Sequence, residues 1–179
     1  MTDKYSSLRV IIPTRNRADL AIGAIRSVLS QPVDSVRILV SDNSTSGKER
    51  ASLSRFCRKL KDKRLRYIAP PEPMPMSPHW DWAMREALRT EASHFTVLTD
   101  RMVYRPAELT CLLKIVAQHP SRIVSYKHDR VADLKAPIRV EQQAWTGKLF
   151  EIQSARLLAL TSQAILHESL PRMLNCIVP

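Results

Sequence analysis

Short apolar segments alternate with amphipathic segments of helical period along this chain, and that order restricts its fold more than any other feature. Leu8 to Pro13 is typical of a short β-strand. The apolar spacing that follows predicts a helix from about Arg17 to Gln31, with Asn16 as its N-cap. Further strands are predicted to end at Asp42, Ala69 and Asp100, with further helices over about 46–60 and starting at Ser77-Pro78 and Pro106. This order predicts an α/β protein, a three-layer αβα sandwich with a mainly parallel sheet.

The pattern weakens in the last third of the chain. Ile123 to Tyr126 is predicted as a fifth strand, Arg139 to Trp145 as another strand, and Ser154 to Gln163 as a helix. The chain closes on Ile177-Val178-Pro179 without a recognisable stop signal.

Length and cysteine content limit the class of protein. A chain of 179 residues makes one ordinary domain that can bury a core without disulfides. Cys57, Cys111 and Cys176 show neither CxxC nor Cys/His metal spacing, which favours reduced thiols. No apolar stretch approaches the length of a transmembrane segment. We therefore expect a soluble, cytoplasmic protein.

The charge balance favours anionic partners. Lysine and arginine total 28 against 17 acidic residues, a formal net charge of +11. Such a balance suits polyanions, acidic lipid surfaces or phosphorylated ligands without distinguishing among them. The densest basic cluster spans residues 55–66 and interleaves cations with apolar positions at helical spacing, so a solvated helix face is the alternative to a dedicated binding surface.

Two aspartates stand where predicted strands end. Asp42 closes one apolar run and Asp100 closes another. Because ligands of open parallel sheets bind at the carboxyl ends of the strands, these two side chains predict a shared polar site. Only three glycines occur in the chain, so neither a GxGxxG motif, a P-loop nor a GxSxG elbow can be written.

These residues resemble a known family. Leu8 to Arg17 with the helix after it, followed by Ile38 to Ser44, is similar to the opening of family 2 glycosyltransferases with the A-type fold. A looser likeness continues through Arg66–Ile68 to Val97–Arg101, and the whole covers about residues 8 to 127. The resemblance implies a nucleotide-diphospho-sugar transferase-like fold. Residues 1–127 would form a nucleotide-sugar-binding α/β domain, and 128–179 the start of an acceptor-side region that this sequence leaves incomplete.

The resemblance also implies a donor site, with a UDP-sugar as the first expectation. Its donor-binding residues would be Pro13, Thr14, Arg15, Asn16, Asp42, Asn43, Thr99, Asp100 and Arg101. Asp42 would accept hydrogen bonds from the base or ribose, as an acceptor-only carboxylate can. The alternative for Asp42 is a helix cap or a turn residue ahead of Asn43-Ser44.

Asp100 stands where the family's Asp-x-Asp metal motif ends its strand, so the resemblance implies a Mn²⁺ or Mg²⁺ ion there. This chain departs from the motif because Thr99 and Arg101 flank the single acid. A bare carboxylate about 4 Å from a phosphate costs ~1–4 kcal/mol, so Asp100 needs a nearby cation or a hydroxyl partner. Arg101 is the candidate cation, since guanidinium matches phosphate geometry. A plain surface turn is the alternative.

The segment after the proline-rich stretch offers weaker candidates. Trp80 fits a buried helical stripe with Ala83, Met84, Ala87 and Leu88, whereas Trp82 points elsewhere and either packs or stacks on a sugar or base. His79 near the helix start is expected to be an exposed histidine, with a phosphate contact as the alternative.

The resemblance implies sugar transfer to an unidentified acceptor, either carbohydrate or lipid-linked. No catalytic residue is assigned, because the late acids Glu141, Glu151 and Glu168 lie in no motif that can be matched. Three alternatives remain open: a donor-binding half, a short variant or one piece of a longer enzyme of this kind; a degenerate transferase without turnover; and a basic module that binds RNA or acidic surfaces. Peripheral membrane contact fits the last of these.

Overall fold

The computed structural model describes residues 7–118, 124–125 and 176–178. The described strands are β1 (Leu8–Thr14), β2 (Val36–Asp42), β3 (Leu65–Ile68), β4 (His94–Val97), β5 (Val124–Ser125) and β6 (Cys176–Val178). The described helices are α1 (Ala18–Leu29), α2 (Gly47–Leu60), α3 (Met76–Leu88) and α4 (Glu108–Gln118). Strand and helix alternate through the first four strands, as the sequence predicts.

The strands form one sheet in the order β3-β2-β1-β4-β6-β5. β1 pairs in parallel with β2 and with β4, and β2 pairs in parallel with β3. β6 runs antiparallel to both β4 and β5. The chain therefore builds outward from β1 to β3, then returns to place β4 on the other side of β1.

Helices cover both faces of this sheet, which confirms the three-layer architecture. The larger apolar cluster joins one face of β1 and β2 to α1, α2 and α4, with residues such as Ile25, Leu53 and Leu109 fully buried. The smaller cluster joins Ile11 and Leu39 on the other face to Ala83 and Ala87 of α3. Right-handed crossovers explain why α3 lies on the opposite face of the sheet from α1 and α2, because the connection through α3 crosses the sheet in the opposite direction.

Several sequence predictions are wrong in detail. Asn16 is not the N-cap of α1; Arg17 holds that position, and Asn16 has a positive φ of 54°. Asp100 does not end a strand, because β4 stops at Val97 and Asp100 lies in the turn that follows. The α3 stripe is also shifted: His79 is buried, Trp80 is only partly buried, and Leu88 is 43% exposed.

The end of the chain supplies a strand that the sequence analysis missed. Cys176–Val178 forms β6 between β4 and β5. Val124–Ser125 forms β5 within the predicted fifth strand. The strand predicted at 139–145, the helix predicted at 154–163, and the three late glutamates lie outside the described residues. The division into 1–127 and 128–179 stays a prediction.

Candidate functional site

The strand order reverses between β1 and β4, and we call the region at the carboxyl ends of β1, β2 and β4 the crevice. β2 and β4 flank β1; the chain leaves the carboxyl end of β1 toward β2 and leaves the carboxyl end of β4 in the opposite direction, toward β5. Such a topological switch point is where open α/β sheets bind ligands. Thr14 is the last residue of β1 and faces Asp42 in the register of β1 and β2. The two strand ends identified from sequence are thus neighbours at this edge.

Thr14 also connects β1 to Asp100. Its hydroxyl donates a 2.9 Å hydrogen bond to Asp100 Oδ2, and both side chains are buried. The Nη1 atom of Arg17 lies 3.4 Å from Asp100 Oδ1. Asp100 therefore has both kinds of partner that the sequence analysis expects, a hydroxyl from Thr14 and a cation from Arg17. The cation is Arg17, and Arg101 forms no ion pair with Asp100 in the described part of the chain.

Asp42 is held by the fold on both of its oxygens. Oδ1 accepts a 2.9 Å hydrogen bond from the backbone N–H of Ser44, and Oδ2 accepts a 2.8 Å bond from the Tyr67 hydroxyl. The carboxylate has no exposed surface. Burial, together with the bond to Asp42, raises the pKa of Tyr67, so the phenol stays protonated and remains a donor. The bond from the Ser44 N–H shows that Asp42 does have the turn role given above as its alternative. Each oxygen of the carboxylate retains one further lone pair.

Asn43 and Arg15 attach the proline-rich segment to the same edge. The Asn43 amide donates to the Met74 carbonyl at 2.7 Å and accepts from the Met74 N–H at 2.9 Å. Arg15 Nη1 donates to the same carbonyl at 3.2 Å. Because prolines at 70, 71, 73 and 75 stiffen this segment, its attachment at Met74 fixes its path past the end of β2.

Asn16 holds the neighbouring loop instead of capping its own helix. Its Oδ1 accepts hydrogen bonds from the backbone N–H groups of Thr45 and Ser46, each at 2.9 Å. Its Nδ2 donates to the Thr45 hydroxyl. Glu49 of α2 in turn accepts a 2.7 Å bond from the backbone N–H of Ala18, the first residue of α1. The starts of α1 and α2 thus cap one another.

The remaining predicted donor residues differ in exposure. Pro13 is buried within β1 opposite Ser41, so it shapes the strand end. Thr99 is partly buried, and its carbonyl accepts the Met102 N–H in the turn that carries Asp100. Arg101 is exposed. The structure gathers Thr14, Asp42, Asn43 and Asp100 at one edge and leaves Arg15, Asn16 and Arg101 on its surface.

His79 is buried, contrary to the expectation of an exposed histidine. A ring nitrogen, Nε2, lies 2.7 Å from the Ser41 hydroxyl, and the imidazole stacks on Trp82 with centroids 6.4 Å apart. Burial lowers the pKa of His79 to about 4. The neutral ring therefore anchors α3 to β2, and Trp82 packs against the smaller apolar cluster.

Sequence reasoning missed Arg17, Tyr67 and the Ser41–His79 pair. Tyr67 and Asp42 share a face of the sheet because Tyr67 pairs with Val40, two residues before Asp42. The face of the sheet on which Tyr67 lies can be assigned only once the register between β2 and β3 is known. Arg17 could have been predicted from the sequence, because it directly follows the turn after β1 and ligands of open sheets bind at that edge.

No group of three or more His, Cys, Asp or Glu side chains suited to a metal ion occurs within the residues that the structure describes. Within the same residues, no helix is long and apolar enough to cross a bilayer.

Solved structures share this fold. S. aureus TarS 1-349 superposes with a TM-score of 0.60 at 15% identity, over 76% of this chain and 40% of that one. The same TarS fragment in complex with UDP-GlcNAc gives a TM-score of 0.58 at 17% identity, covering 76% and 38%. A mannosyltransferase from Pyrobaculum calidifontis, PcManGT in complex with GDP-Man and Mn²⁺, gives 0.57 at 20%, covering 69% and 36%. This chain thus spans well under half of each.

A family model agrees with the fold. No protein of curated function matches the sequence. The model described as "Glycosyl transferase family 2" matches residues 9–169, which is most of the chain. With an A-type glycosyltransferase fold and this match, the chain belongs to glycosyl transferase family 2.

Proposed function

We propose that this protein transfers a sugar from a nucleotide-sugar donor to an acceptor hydroxyl. In that reaction the bond between the anomeric carbon and the diphosphate breaks, the acceptor oxygen bonds to that carbon, and the acceptor's proton goes to a base. Family membership supports the reaction class. The complexes of similar proteins with UDP-GlcNAc, UDP and GDP-Man support a nucleotide-sugar donor, with a UDP-sugar as our first choice.

One observation carries the proposal. Thr14 lies opposite Asp42 in the sheet register and donates to Asp100, so the two predicted acids belong to one polar edge at the switch point. A nucleotide diphosphate needs both a base contact and a diphosphate contact, and this edge offers groups for each. The nucleoside would have to reach Asp42 and Asn43, which are 0% and 1% exposed without a ligand, while Thr14 and Asp100 would adjoin the diphosphate. Arg15, Asn16 and Arg101 would form the rim, and Pro13 and Thr99 its backbone walls.

The described residues do not fit a metal-bridged diphosphate. Two similar structures contain Mn²⁺, and hard cations of this kind prefer carboxylate oxygens. Here Asp100 is a single acid between Thr99 and Arg101, and its two oxygens contact a hydroxyl and a guanidinium. We therefore assign no step to Mn²⁺ or Mg²⁺, and the sequence-based assignment of Asp100 as a metal ligand stays a prediction.

The acceptor and the base that takes its proton are also part of this proposal. A carbohydrate or lipid-linked acceptor, and a base among residues 119–175, are consistent with the family. A cytoplasmic location and peripheral membrane contact also remain predictions. A degenerate transferase that binds donor without turnover makes the same binding forecast, and only acceptor-dependent release of nucleotide diphosphate separates it from a working enzyme.

Calorimetric titration with UDP and GDP tests the donor site, with ADP as the comparison nucleotide. We expect UDP or GDP to bind more tightly than ADP. Asp42→Asn should weaken binding by about tenfold or more, as expected for loss of a hydrogen bond to a charged group.

Tyr67→Phe is the matched control. It removes the internal partner of Asp42 and keeps the carboxylate, so its nucleotide affinity should stay near that of the wild type. Equal losses in both variants would mean that Asp42 acts only through the fold. A folded wild-type protein that binds neither nucleotide at millimolar concentration would refute the proposed function.

A further inference from the structure

The contact between Arg17 and Asp100 stands at the switch point. The two side chains differ in how firmly they are held: Asp100 is 5% exposed and accepts the Thr14 hydroxyl, whereas the Arg17 side chain is 44% exposed. At 3.4 Å the contact is long for a charge-assisted hydrogen bond. The carboxylate is therefore the fixed member of the pair, and the guanidinium is the member free to meet a ligand.

Arg17 has unused donor capacity at this position. A guanidinium carries five N–H donors in a planar fork that matches phosphate oxygens. Only Nη1 of Arg17 has a described side-chain partner. As the N-cap residue of α1 it forms no side-chain cap bond, so the helix start does not occupy its side chain.

The neighbouring arginines are less suited to this role. Arg15 donates through Nη1 to the Met74 carbonyl of the proline-rich segment and has no ion pair with Asp100 among the described contacts. Arg101 is exposed and forms no ion pair with Asp100 among the described contacts. Arg17 alone among the three is attached to the buried acid that the family resemblance would assign to a metal.

We infer that Arg17, oriented by Asp100, is the cation that binds the donor's diphosphate, so that nucleotide diphosphate binding in this protein does not require a divalent metal ion. The inference rests on the proposed function. Asp100 acts here as a positioning residue: it holds the guanidinium at the crevice, and the guanidinium shields the phosphate from the carboxylate. A fixed charge on the chain takes the place that a bridging ion would have.

The test is calorimetric titration of the full chain with UDP and GDP, once with EDTA and once with Mn²⁺. For the nucleotide that binds, we expect dissociation constants that agree within about twofold under the two conditions. Arg17→Ala should weaken binding by at least about tenfold in EDTA, the cost of losing a charge-assisted contact. Arg17→Lys keeps the charge without the fork and should recover only part of the affinity.

The matched control is Arg85→Ala, which removes an exposed arginine from α3 that pairs with Asp81 away from the crevice. It should leave nucleotide affinity unchanged, and thermal melting should show that each variant is folded. Binding that requires Mn²⁺ and is unaffected by Arg17→Ala would overturn the inference while leaving the proposed function intact. Absence of binding under both conditions would instead refute the proposed function.

Discussion

Single residues at the crevice owe their chemistry to burial, and His79 gives the sharpest case. Its imidazole is 2% exposed, and burial lowers its pKa to about 4. In the unfolded chain the same group titrates at about 6.5, so the unfolded state binds a proton first as the pH falls. The contribution of neutral His79 is complete above pH 6.5 and is lost progressively between about 6.5 and 4.

This shift predicts a stability change in a pH range above that of ordinary carboxylates. Between about pH 6.5 and 5, titration of His79 should lower the free energy of unfolding by up to about 1.4 kcal/mol per pH unit. Urea denaturation at pH 7, 6 and 5 measures it. His79→Gln keeps an amide donor for Ser41 and removes the titration, so its slope should be smaller. Identical slopes in the two proteins would show that the imidazole is not the group responsible.

The crevice acids show how far sequence reasoning reaches at the scale of a residue. The sequence predicts a shared site for Asp42 and Asp100 because parallel strands end at a common edge, and in the structure Thr14 lies opposite Asp42 and donates to Asp100. Their partners were not predictable. Tyr67 meets Asp42 through the pairing of β2 with β3, and register is set by the packed sheet rather than by any local pattern.

At the scale of elements, the crossed caps of α1 and α2 determine the geometry of the loops around the crevice. Ser46-Gly47-Lys48-Glu49 has the spacing of a capping box, in which Glu49 would bond its own N-cap. The Glu49 carboxylate bonds the N–H of Ala18 instead, and Asn16 takes the N–H of Ser46. Two loops that are distant in sequence thus satisfy each other's helix ends.

Asn16 should therefore be important for stability despite its exposure. Asn16→Ala removes three side-chain hydrogen bonds and leaves alanine, which adopts left-handed backbone less readily than asparagine, at φ 54°. We therefore expect the free energy of unfolding to fall by about 1–3 kcal/mol. Asn16→Asp keeps the acceptor for the Thr45 and Ser46 N–H groups and should lose less. Denaturant unfolding of both variants measures this. An alanine variant as stable as the aspartate variant would contradict it.

The prediction of elements succeeded where a long apolar stripe existed. The helix predicted over 46–60 agrees with α2 to within a residue, because Ser46 caps it and Leu53 and Cys57 form its buried stripe. The predicted first helix is one residue too long at its start, where Arg17 is the N-cap, and two residues too long at its end, where Ser30 is the C-cap. β4 ends at Val97, three residues before Asp100, although Leu98 is apolar and buried and its N–H still bonds the Ile11 carbonyl of β1.

At the scale of the whole molecule, the order of the strands creates the site. Alternating elements predict a parallel sheet but give several possible strand orders, and the crevice depends on which order forms. Here the return of the chain to place β4 beside β1 creates the switch point between Thr14 and Asp100. β6 could not be anticipated, because three residues at 176–178 join the sheet only through pairing with β4 and β5.

The same topology separates the densest basic cluster from the crevice. α2 begins after the carboxyl end of β2 and runs back, so its last turn and the following residues lie at the amino end of the sheet. Arg58, Lys59, Lys61 and Lys63 are exposed there. Arg64 turns inward to Asp62 and to the carbonyls of Leu29 and Gln31. The cluster is thus partly structural, and its exposed cations are those that a polyanion could reach.

These positions allow the polyanion alternative to be tested separately from the donor site. Replacing Arg58, Lys59, Lys61 and Lys63 by glutamine should weaken binding of single-stranded RNA and reduce the slope of log affinity against log salt by roughly 3, given about 0.7 per phosphate contact. Fluorescence anisotropy at several salt concentrations measures the slope. UDP or GDP affinity should not change, because the four cations lie at the opposite end of the sheet from Asp100. If the four substitutions abolished nucleotide binding as well, the cluster and the crevice would form one anionic ligand site, and the separation argued from the topology would be wrong.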